Sequence, residues 1–388
     1  MSAKIAESAT VCHRRRTDRT SAGLPLVLIG SLFHNVHSFL DSLFPKATGG
    51  DMSENPQVTL SGFADEAANQ KTAVQQFAAF AALGLQYYSL RFIDAGDGIK
   101  NVMKLSKSEI QTIRHLEDEY GLNVASIGSP IGKVKLLDVD DKTKNAFVPF
   151  KKYLEKEVKK ACEIAHAFET KLIRGFSFYH PKGTDPRDHI PQVVDQLGQI
   201  AETCLRSDLT FGVELEANLV GQNGEILAEI HRQVKDSALL LIFDAGNLSC
   251  QGFSPAEVLE QFRLMKPGLG WMHVKDYRHP EPSKRQAHIN EDTLKHFVPA
   301  DLGDSGHEAI FKELREMLPK LDQKLRRRGI PGVFLDLEPH VKAGGQYGGF
   351  SGPDGMGVAL RSLCKVLDYV EIDYHLRDFD DIRAARGF

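Results

Sequence analysis

The sequence has few cysteines, no long apolar run and no predominance of either sign of charge. Its five cysteines are odd in number, widely spaced and without a C-x-x-C pair, which argues against a disulfide scaffold or a zinc ribbon and favours free thiols in the reducing cytoplasm. No stretch reaches the roughly 18 consecutive apolar residues needed to cross a bilayer, so no membrane span is expected. Lysine and arginine number 48, and aspartate and glutamate 52. That balance argues against a nucleic-acid groove or a polybasic membrane surface.

The two ends of the chain differ from its middle. Residues 1–57 are predicted to be an N-terminal extension: a disordered segment, a leader, or the result of a misassigned start with Met52 as the true one. A basic cluster precedes an interrupted apolar run at 24–33, which is the pattern of an export signal, but we favour the cytoplasm over export. The charged tail 373–388 is expected to be either a subunit contact in a homo-oligomer or a frayed end.

Between these ends, residues 58–372 alternate eight times between a short β-rich run and a longer amphipathic one. Such alternation is typical of parallel strands joined by helices, and eight units in about 315 residues predict a single-domain α/β fold, the (β/α)8 TIM barrel. The runner-up, an open doubly wound sheet, would place a Gly-x-Gly-x-x-Gly turn after the first strand, where residues 62–66 read Gly-Phe-Ala-Asp-Glu. The predicted strands are 58–63, 87–91, 123–128, 171–176, 211–216, 238–244, 270–274 and 333–338.

Charged residues end four consecutive predicted strands: Glu214, Asp244, His273 and Glu338. Because the carboxyl ends of the strands meet at one face of a barrel, these side chains are predicted to lie together in its mouth. An ionised carboxylate buried without compensation costs several kcal/mol, so we expect all four residues to hold a divalent metal ion. Three oxygen donors and one imidazole favour Mn²⁺, with Mg²⁺, Co²⁺ and Zn²⁺ as alternatives.

Alternation along the strands places further charged residues on the same inward face. Glu216, Lys275 and Asp336 each lie two positions from one of the four residues above. We expect Glu216 and Asp336 to pair with a buried cation or with a backbone amide. The cations in the pattern are Lys275 and Arg174, since Arg and Lys within strands are seldom buried unless they are paired.

Six segments at the strand ends together resemble the xylose-isomerase-like (β/α)8 superfamily, and specifically its sugar-phosphate isomerase/epimerase branch. The resemblance covers most of the chain after residue 57, and the Glu-Asp-His-Glu set is its specific part. It implies a metal-dependent enzyme in which two metal-bound glutamates also move the substrate protons; by position these are Glu214 and Glu338. A histidine often found three residues after the strand-six aspartate is replaced here by Asn247. The segments are 127–133, 174–179, 213–216, 243–247, 273–276 and 337–340.

The chemistry of such a site supports the same reaction. A cation that chelates a carbonyl and the adjacent hydroxyl lowers the pKa of the intervening C–H bond and stabilises the enediolate formed by deprotonation. Carboxylates on opposite sides of the sugar can remove a proton from one face and return it to the other. The sequence therefore predicts an isomerase or epimerase of a sugar or keto-sugar, a small carbohydrate, with Glu214 and Glu338 as catalytic residues.

Other polar residues at or just beyond the strand ends are candidates for binding the substrate. The glycine-rich loop 344–353 offers either backbone amides to a phosphate or a lid over the metal, and Ser351 and Pro353 mark the start of the last helix. No Gly-x-x-x-x-Gly-Lys-Ser/Thr phosphate loop occurs, so a phosphorylated substrate is not implied. The candidate substrate-binding residues are Arg91, Lys133, Arg174, His180, Glu216, Asn247, Lys275 and His340.

Three other functions stay open from the sequence. The same deprotonation followed by loss of a β-oxygen makes a dehydratase or lyase that acts on a keto-inositol or keto-glycoside, and inosose dehydratases are relatives on this fold. A metal-dependent endonuclease of abasic DNA shares the fold too, but such enzymes carry several more histidines at the strand ends, and the acidic balance of this chain disfavours DNA. A non-catalytic sugar-binding protein would need the acids without a metal.

Overall fold

Eight short parallel strands alternate with helices and form a nearly closed barrel. The structure is a computed structural model that describes residues 55–235, 239–280, 285–286, 289–343 and 349–385. The predicted N-terminal extension therefore lies outside the described residues up to residue 54. The strands are β1 (Thr59–Gly62), β2 (Tyr87–Leu90), β3 (Asn123–Gly128), β4 (Leu172–Gly175), β5 (Thr210–Glu214), β6 (Leu239–Asp244), β7 (Leu269–Val274) and β8 (Phe334–Leu337).

In the part of the chain that the structure describes, eight principal helices follow the strands, and local sequence explains where several of them begin. Ser106 and Ser254 each accept a hydrogen bond from the backbone amide of a glutamate three residues on, and that glutamate accepts one in return. These capping boxes satisfy amides that the first helical turn leaves unpaired. Among the described residues, no helix is both long and apolar enough to cross a membrane. The helices are α1 (Ala73–Ala82), α2 (Lys107–Tyr120), α3 (Phe150–Tyr153, continued through a π-turn by Lys159–Ala167), α4 (Ile190–Arg206), α5 (Gly224–Val234), α6 (Pro255–Met265), α7 (His307–Arg326) and α8 (Gly352–Tyr369).

The strand order confirms the predicted (β/α)8 barrel. The strands pair in parallel in the order β1-β8-β7-β6-β5-β4-β3-β2, and a parallel bridge between Phe63 and Ser89 brings β1 beside β2. The open doubly wound sheet is therefore wrong, because the first and second strands meet across the closure. All eight carboxyl ends lie at one face of the barrel, where function is expected in this architecture.

Large and small side chains complement each other inside the barrel. Trp271 on β7 is completely buried, and Gly212 faces it from β5. A Cβ atom on Gly212 would lie only 2.0 Å from Cη2 of the indole, so the space that Trp271 occupies exists because residue 212 has no side chain. Trp271 lies two positions before His273 and shares its inward face. The indole therefore forms a floor beneath the charged mouth.

The predicted strand limits agree with the observed ones to within two residues. The largest difference is at β5, which ends at Glu214 rather than at residue 216. After Leu215, whose amide still donates to Ile242 O of β6, the chain turns away, and Asn218 adopts a positive φ of 66°. Glu216 consequently lies in the loop that follows the strand. Residue 238, the predicted start of the sixth strand, lies outside the described residues.

The tail after residue 372 begins against the amino ends of the strands. The amide of Val58 donates to the carbonyl oxygen of Asp373, and the Arg377 guanidinium donates to carbonyl oxygens in the loop before β2 and at the end of α2. A short helix, Phe379–Ala385, follows. A role of this tail in contacts between subunits stays a prediction.

Stability is expected to depend on pH through a buried acid on α2. Tyr88 on β2 donates a 2.6 Å hydrogen bond to Glu117, and Arg114 contacts its other oxygen at 2.9 Å. Burial outweighs both contacts and raises the pKa of that carboxyl from 4.5 to about 7. Between pH 4.5 and 7 the folded protein keeps this proton while the unfolded chain has lost it. The free energy of unfolding is therefore highest below pH 4.5, falls as the pH rises from 4.5 to 7, and changes no further above that through this group. The loss is about 3 kcal/mol.

Urea unfolding at pH 5 and pH 8 measures this loss. The Glu117→Gln variant keeps an acceptor for Tyr88 without the titration, so it is expected to lose about 3 kcal/mol less than the unsubstituted protein between the two pH values. Equal losses in the two proteins would contradict the assignment.

Candidate active site

Four side chains from consecutive strands meet at the carboxyl face of the barrel. Glu214 ends β5, Asp244 ends β6, His273 lies on β7 and Glu338 directly follows β8. The β6–β7 register places Asp244 beside His273. All four residues are buried, and one potential ligand atom from each lies within 4.8 Å of the others. The structure thus brings together the four residues that the sequence selected as metal ligands.

The contacts of His273 fit a metal ligand. Its Nδ1 lies 3.1 Å from Oε1 of Glu214 and 3.8 Å from Oε2 of Glu338, yet neither ring nitrogen makes a hydrogen bond to any described residue. A buried polar atom without a partner is costly. Neighbouring ligand atoms in an octahedral site with bonds of about 2.1 Å lie about 3.0 Å apart. The 3.1 Å contact therefore fits two groups that share a cation, and the donor set suits Mn²⁺, Mg²⁺, Co²⁺ or Zn²⁺.

The acids are not left unpaired, contrary to the expectation from sequence that only a metal ion would offset their burial. Nζ of Lys275 lies 2.9 Å from Oδ2 of Asp244 and 2.6 Å from Oε2 of Glu338. Arg91 contacts the other oxygen of Glu338 at 2.6 Å, and Nε of Arg174 lies 3.3 Å from Glu214. Three cations of the protein thus offset part of the negative charge. Arg174 lies on β4, and Arg91 and Lys275 directly follow β2 and β7.

An excess of negative charge remains in this carboxylate cluster. Its six acids are all buried, and they face three buried cations and the partly exposed Lys71. With the histidines neutral, as an imidazole that binds a metal ion must be, the formal charge is −2, which is the charge that a divalent cation would cancel. The acids are Asp65, Glu66, Glu214, Asp244, Asp336 and Glu338, and the buried cations are Arg91, Arg174 and Lys275.

The three carboxyl ligands differ in acidity, although all are mainly anionic at neutral pH. Burial alone would raise the pKa of Glu214, but His273 in its protonated form, which it has without a bound metal, and Arg174 lower it to about 2. Burial is likewise outweighed at Glu338, where Lys275 and other cations hold the pKa well below its usual range. For Asp244 burial prevails and raises the pKa to about 6. Glu214 and Glu338 are therefore available as proton acceptors at pH 7.

The expected partners of two further acids are wrong. Oε1 of Glu216 lies 2.9 Å from Nζ of Lys133, not beside Lys275 or Arg174, because β5 ends at Glu214 and the loop carries Glu216 toward the segment after β3. Asp336 accepts a 2.7 Å hydrogen bond from the hydroxyl of Ser89 on β2, rather than from a cation or a backbone amide.

The predicted substrate-binding residues all line one cavity of about 1400 Å³ above the cluster. Asn247 donates to Leu215 O at 2.8 Å and to Oε1 of Glu214 at 3.3 Å, so its amide is held by the site itself. His180 lies in the loop after β4, where its Nδ1 is 3.1 Å from Pro181 O. The residues that line the cavity include Arg91, Lys133, Arg174, His180, Glu216, Asn247, Lys275 and His340, together with Glu214 and Glu338.

Sequence reasoning missed two acids of the site, Asp65 and Glu66, which follow β1. Oε1 of Glu66 lies 2.7 Å from Nδ1 of His340, and its Oε2 accepts hydrogen bonds from the amide of His340 and the hydroxyl of Ser351. These contacts stabilise His340 in a left-handed conformation with φ of 51°. The signal was present, because both acids lie just beyond the carboxyl end of a strand, the end at which the four ligands lie.

The start of the last helix is as predicted. Helix α8 begins at Gly352, with Ser351 before it and Pro353 in its first turn. Residues 344–348 of the glycine-rich loop lie outside the described residues, so phosphate binding and lid closure by this loop stay predictions.

Comparison with known proteins places the chain among barrels of one kind. A family model described as a xylose isomerase-like TIM barrel matches residues 77–321. No curated protein matches the sequence significantly.

Solved structures share the fold at low sequence identity. A xylose isomerase-like TIM barrel protein from Mycobacterium smegmatis, solved in complex with magnesium, is 14% identical with a TM-score of 0.52, over 81% of this chain and 96% of the other. The probable 3-DHS dehydratase AsbF from Bacillus anthracis is 14% identical with a TM-score of 0.51, over 79% and 98%. D-allulose 3-epimerase from Methylomonas sp. is 13% identical with a TM-score of 0.50, over 81% and 100%. At these identities the likeness establishes the barrel alone.

Proposed function

Since the chain belongs to the xylose isomerase-like TIM barrel family, we propose that it is an isomerase or epimerase of a sugar or keto-sugar that requires a divalent cation. The observation that carries this proposal is the convergence of Glu214, Asp244, His273 and Glu338 within 4.8 Å beneath a large cavity. A magnesium complex and a sugar epimerase among the solved structures of this fold support it.

The four converging residues would hold the cation, for which Mn²⁺ is our first choice. When bound, the cation would supply a Lewis acid that acidifies the C–H bond next to the substrate carbonyl and stabilises the charge left by its proton. The formal charge of −2 in the carboxylate cluster supports a divalent ion over a monovalent one.

Glu214 and Glu338 would move the proton. Both are anionic at neutral pH because nearby cations lower their pKa values, and both line the cavity. They come from β5 and β8, which are separated in the barrel by β6 and β7. Carboxylates on separate strands can approach one carbon from two sides, so one removes the proton and the other returns it.

The cations of the cluster would orient the substrate. Arg91, Arg174 and Lys275 line the cavity while pairing with its acids, so they can donate to substrate oxygens without leaving a buried charge uncompensated. His340 and Asn247 present further polar atoms on the same wall, and the Lys133–Glu216 pair offers a donor and an acceptor beyond them.

A lyase is the second candidate, and the likeness to a probable dehydratase of the same fold favours it. The first step would be the same deprotonation by Glu214 or Glu338. The outcome would then depend on whether the substrate carries a leaving oxygen β to the carbonyl, as keto-inositols and keto-glycosides do.

A substrate panel in deuterated water tests the two functions. We expect the protein with Mn²⁺ to exchange a carbon-bound proton of one panel member for deuterium and to form its epimer or isomer, both seen by NMR. An absorbing enone would instead favour the lyase. No exchange and no turnover with any ketose, keto-inositol or keto-glycoside would argue against both.

Removal of the metal is expected to abolish activity. Dialysis against a chelator should lower turnover by about a thousandfold or more, because the charge formed on deprotonation loses its stabilising partner. Mn²⁺ added back should restore turnover, while Na⁺ at equal ionic strength serves as the control. Full activity in a metal-free sample, verified by elemental analysis, would contradict the proposed cation requirement.

A further inference from the structure

The ammonium of Lys275 lies between two of the four residues that would hold the cation. It is 2.9 Å from Oδ2 of Asp244 and 2.6 Å from Oε2 of Glu338, and the residue is 4% exposed. Its side chain passes so close to Gly246 that a Cβ on that glycine would lie 2.6 Å from Cγ of Lys275. The fold therefore leaves a passage for this lysine into the ligand set.

The other cations of the mouth contact the cluster differently. Arg91 contacts Oε1 of Glu338 and leaves Oε2, the oxygen nearer His273, to Lys275. Arg174 contacts a single acid, Glu214, at 3.3 Å. Lys275 thus contacts two of the four ligand residues, and one of its contacts is the oxygen of Glu338 that faces the histidine.

We infer that Lys275 competes with the divalent cation for Asp244 and Glu338 and thereby sets the metal affinity of the site. This inference rests on the proposed function, because it assigns a regulation to the same metal site. A carboxylate oxygen that accepts a close hydrogen bond from an ammonium has less charge to offer a metal ion, and bringing a second cation beside the first costs Coulomb energy. Metal binding must therefore weaken at least one contact of Lys275.

The test compares Mn²⁺ binding by the unsubstituted protein and by Lys275→Met. Methionine keeps most of the length of the lysine side chain and removes its charge. We expect the variant to bind Mn²⁺ about tenfold more tightly or better, measured by titration calorimetry or by the EPR signal of free Mn²⁺. The matched control is Lys133→Met, which removes the same charge from the same cavity. Lys133 pairs with Glu216, which is outside the ligand set. The affinity of this control variant is expected to change by less than about threefold.

The outcomes separate this inference from the proposed function. If the unsubstituted protein binds Mn²⁺ and Lys275→Met binds it equally or more weakly, the competition is refuted while the metal site stands. If none of the proteins binds Mn²⁺, Mg²⁺, Co²⁺ or Zn²⁺, the proposed function fails, and the inference fails with it.

A second variant covers the case in which Lys275→Met does not fold without metal. Lys275→Gln is neutral but still donates a hydrogen bond, and it should show the same tightening. Folding of Lys275→Met that is recovered by Mn²⁺ but not by Na⁺ would support the competition, since the metal would then replace the missing ammonium. The inferred competition would be overturned if Mn²⁺ did not restore the folding of Lys275→Met and also bound Lys275→Gln no more tightly than the unsubstituted protein.

Discussion

Glutamine in place of Glu214 is expected to abolish the exchange of the substrate proton with deuterated water, lowering its rate by about a thousandfold or more. The carboxylate is anionic at neutral pH, lines the cavity and lies 3.1 Å from His273, so it has both the charge and the position of a base. A glutamine amide cannot accept the proton, and general-base contributions are typically 10²- to 10⁴-fold. NMR of the substrate carbon in deuterated water measures the rate.

The design separates proton transfer from metal binding, because Glu214 would do both. Mn²⁺ content is measured in the same samples: exchange lost with Mn²⁺ retained assigns the proton transfer to Glu214, whereas loss of both shows that Glu214 is needed to hold the ion. Glu338→Gln is tested in parallel. The control is Glu202→Gln on α4. Glu202 forms an exposed ion pair with Arg206 on the outer helix, away from the mouth. Exchange that survives both active-site substitutions would refute the acid/base assignment.

Trp271→Ala is expected to lower the free energy of unfolding by about 3–5 kcal/mol, the range for truncating a large buried aromatic side chain. The opposite change on the facing strand, Gly212→Ala, should also destabilise, by about 1–3 kcal/mol, because its Cβ would lie 2.0 Å from Trp271. Urea unfolding followed by far-ultraviolet circular dichroism measures each.

Gly212 and Trp271 share one space, so the effects of the two changes on stability are expected to be coupled. Gly212→Ala in the Trp271→Ala background should cost much less than it does alone, because the clashing ring is gone. Gly198→Ala is the matched control: in α4 its added Cβ would meet nothing closer than a methyl group of Val234 at 4.0 Å, so it should be neutral or slightly stabilising. Additive costs for the pair at 212 and 271 would contradict the proposed complementarity.

The barrel and the meeting of four residues could be predicted because both follow from regular periods. Parallel strands end at one face, and side chains two positions apart share a side, so Glu214, Asp244, His273 and Glu338 converge once the eight strands are recognised. The partners of each charge could not be predicted in this way. Glu216 pairs with Lys133 because of a two-residue difference in where β5 ends, and no periodic pattern encodes that difference.

The remaining misses concern contacts between segments that are distant in the chain. Glu66, after β1, meets His340 and Ser351, after the neighbouring strand β8, and their separation exceeds 270 residues. The sequence does place an acid after β1, but which partner it finds depends on the path of the loop after β8. Likewise, Lys275 was assigned to the mouth by alternation, whereas its contact with two ligands at once depends on the space beside Gly246.

The floor of the barrel also gives this protein a built-in optical probe. The chain has one tryptophan, and Trp271 is buried two positions below His273. Its emission therefore comes from a single, dry environment directly beneath the candidate metal centre, free of any background from a second indole. Paramagnetic Mn²⁺ should quench that emission as it binds, while diamagnetic Mg²⁺ should not. Occupancy of the site can thus be followed in real time in the unlabelled protein.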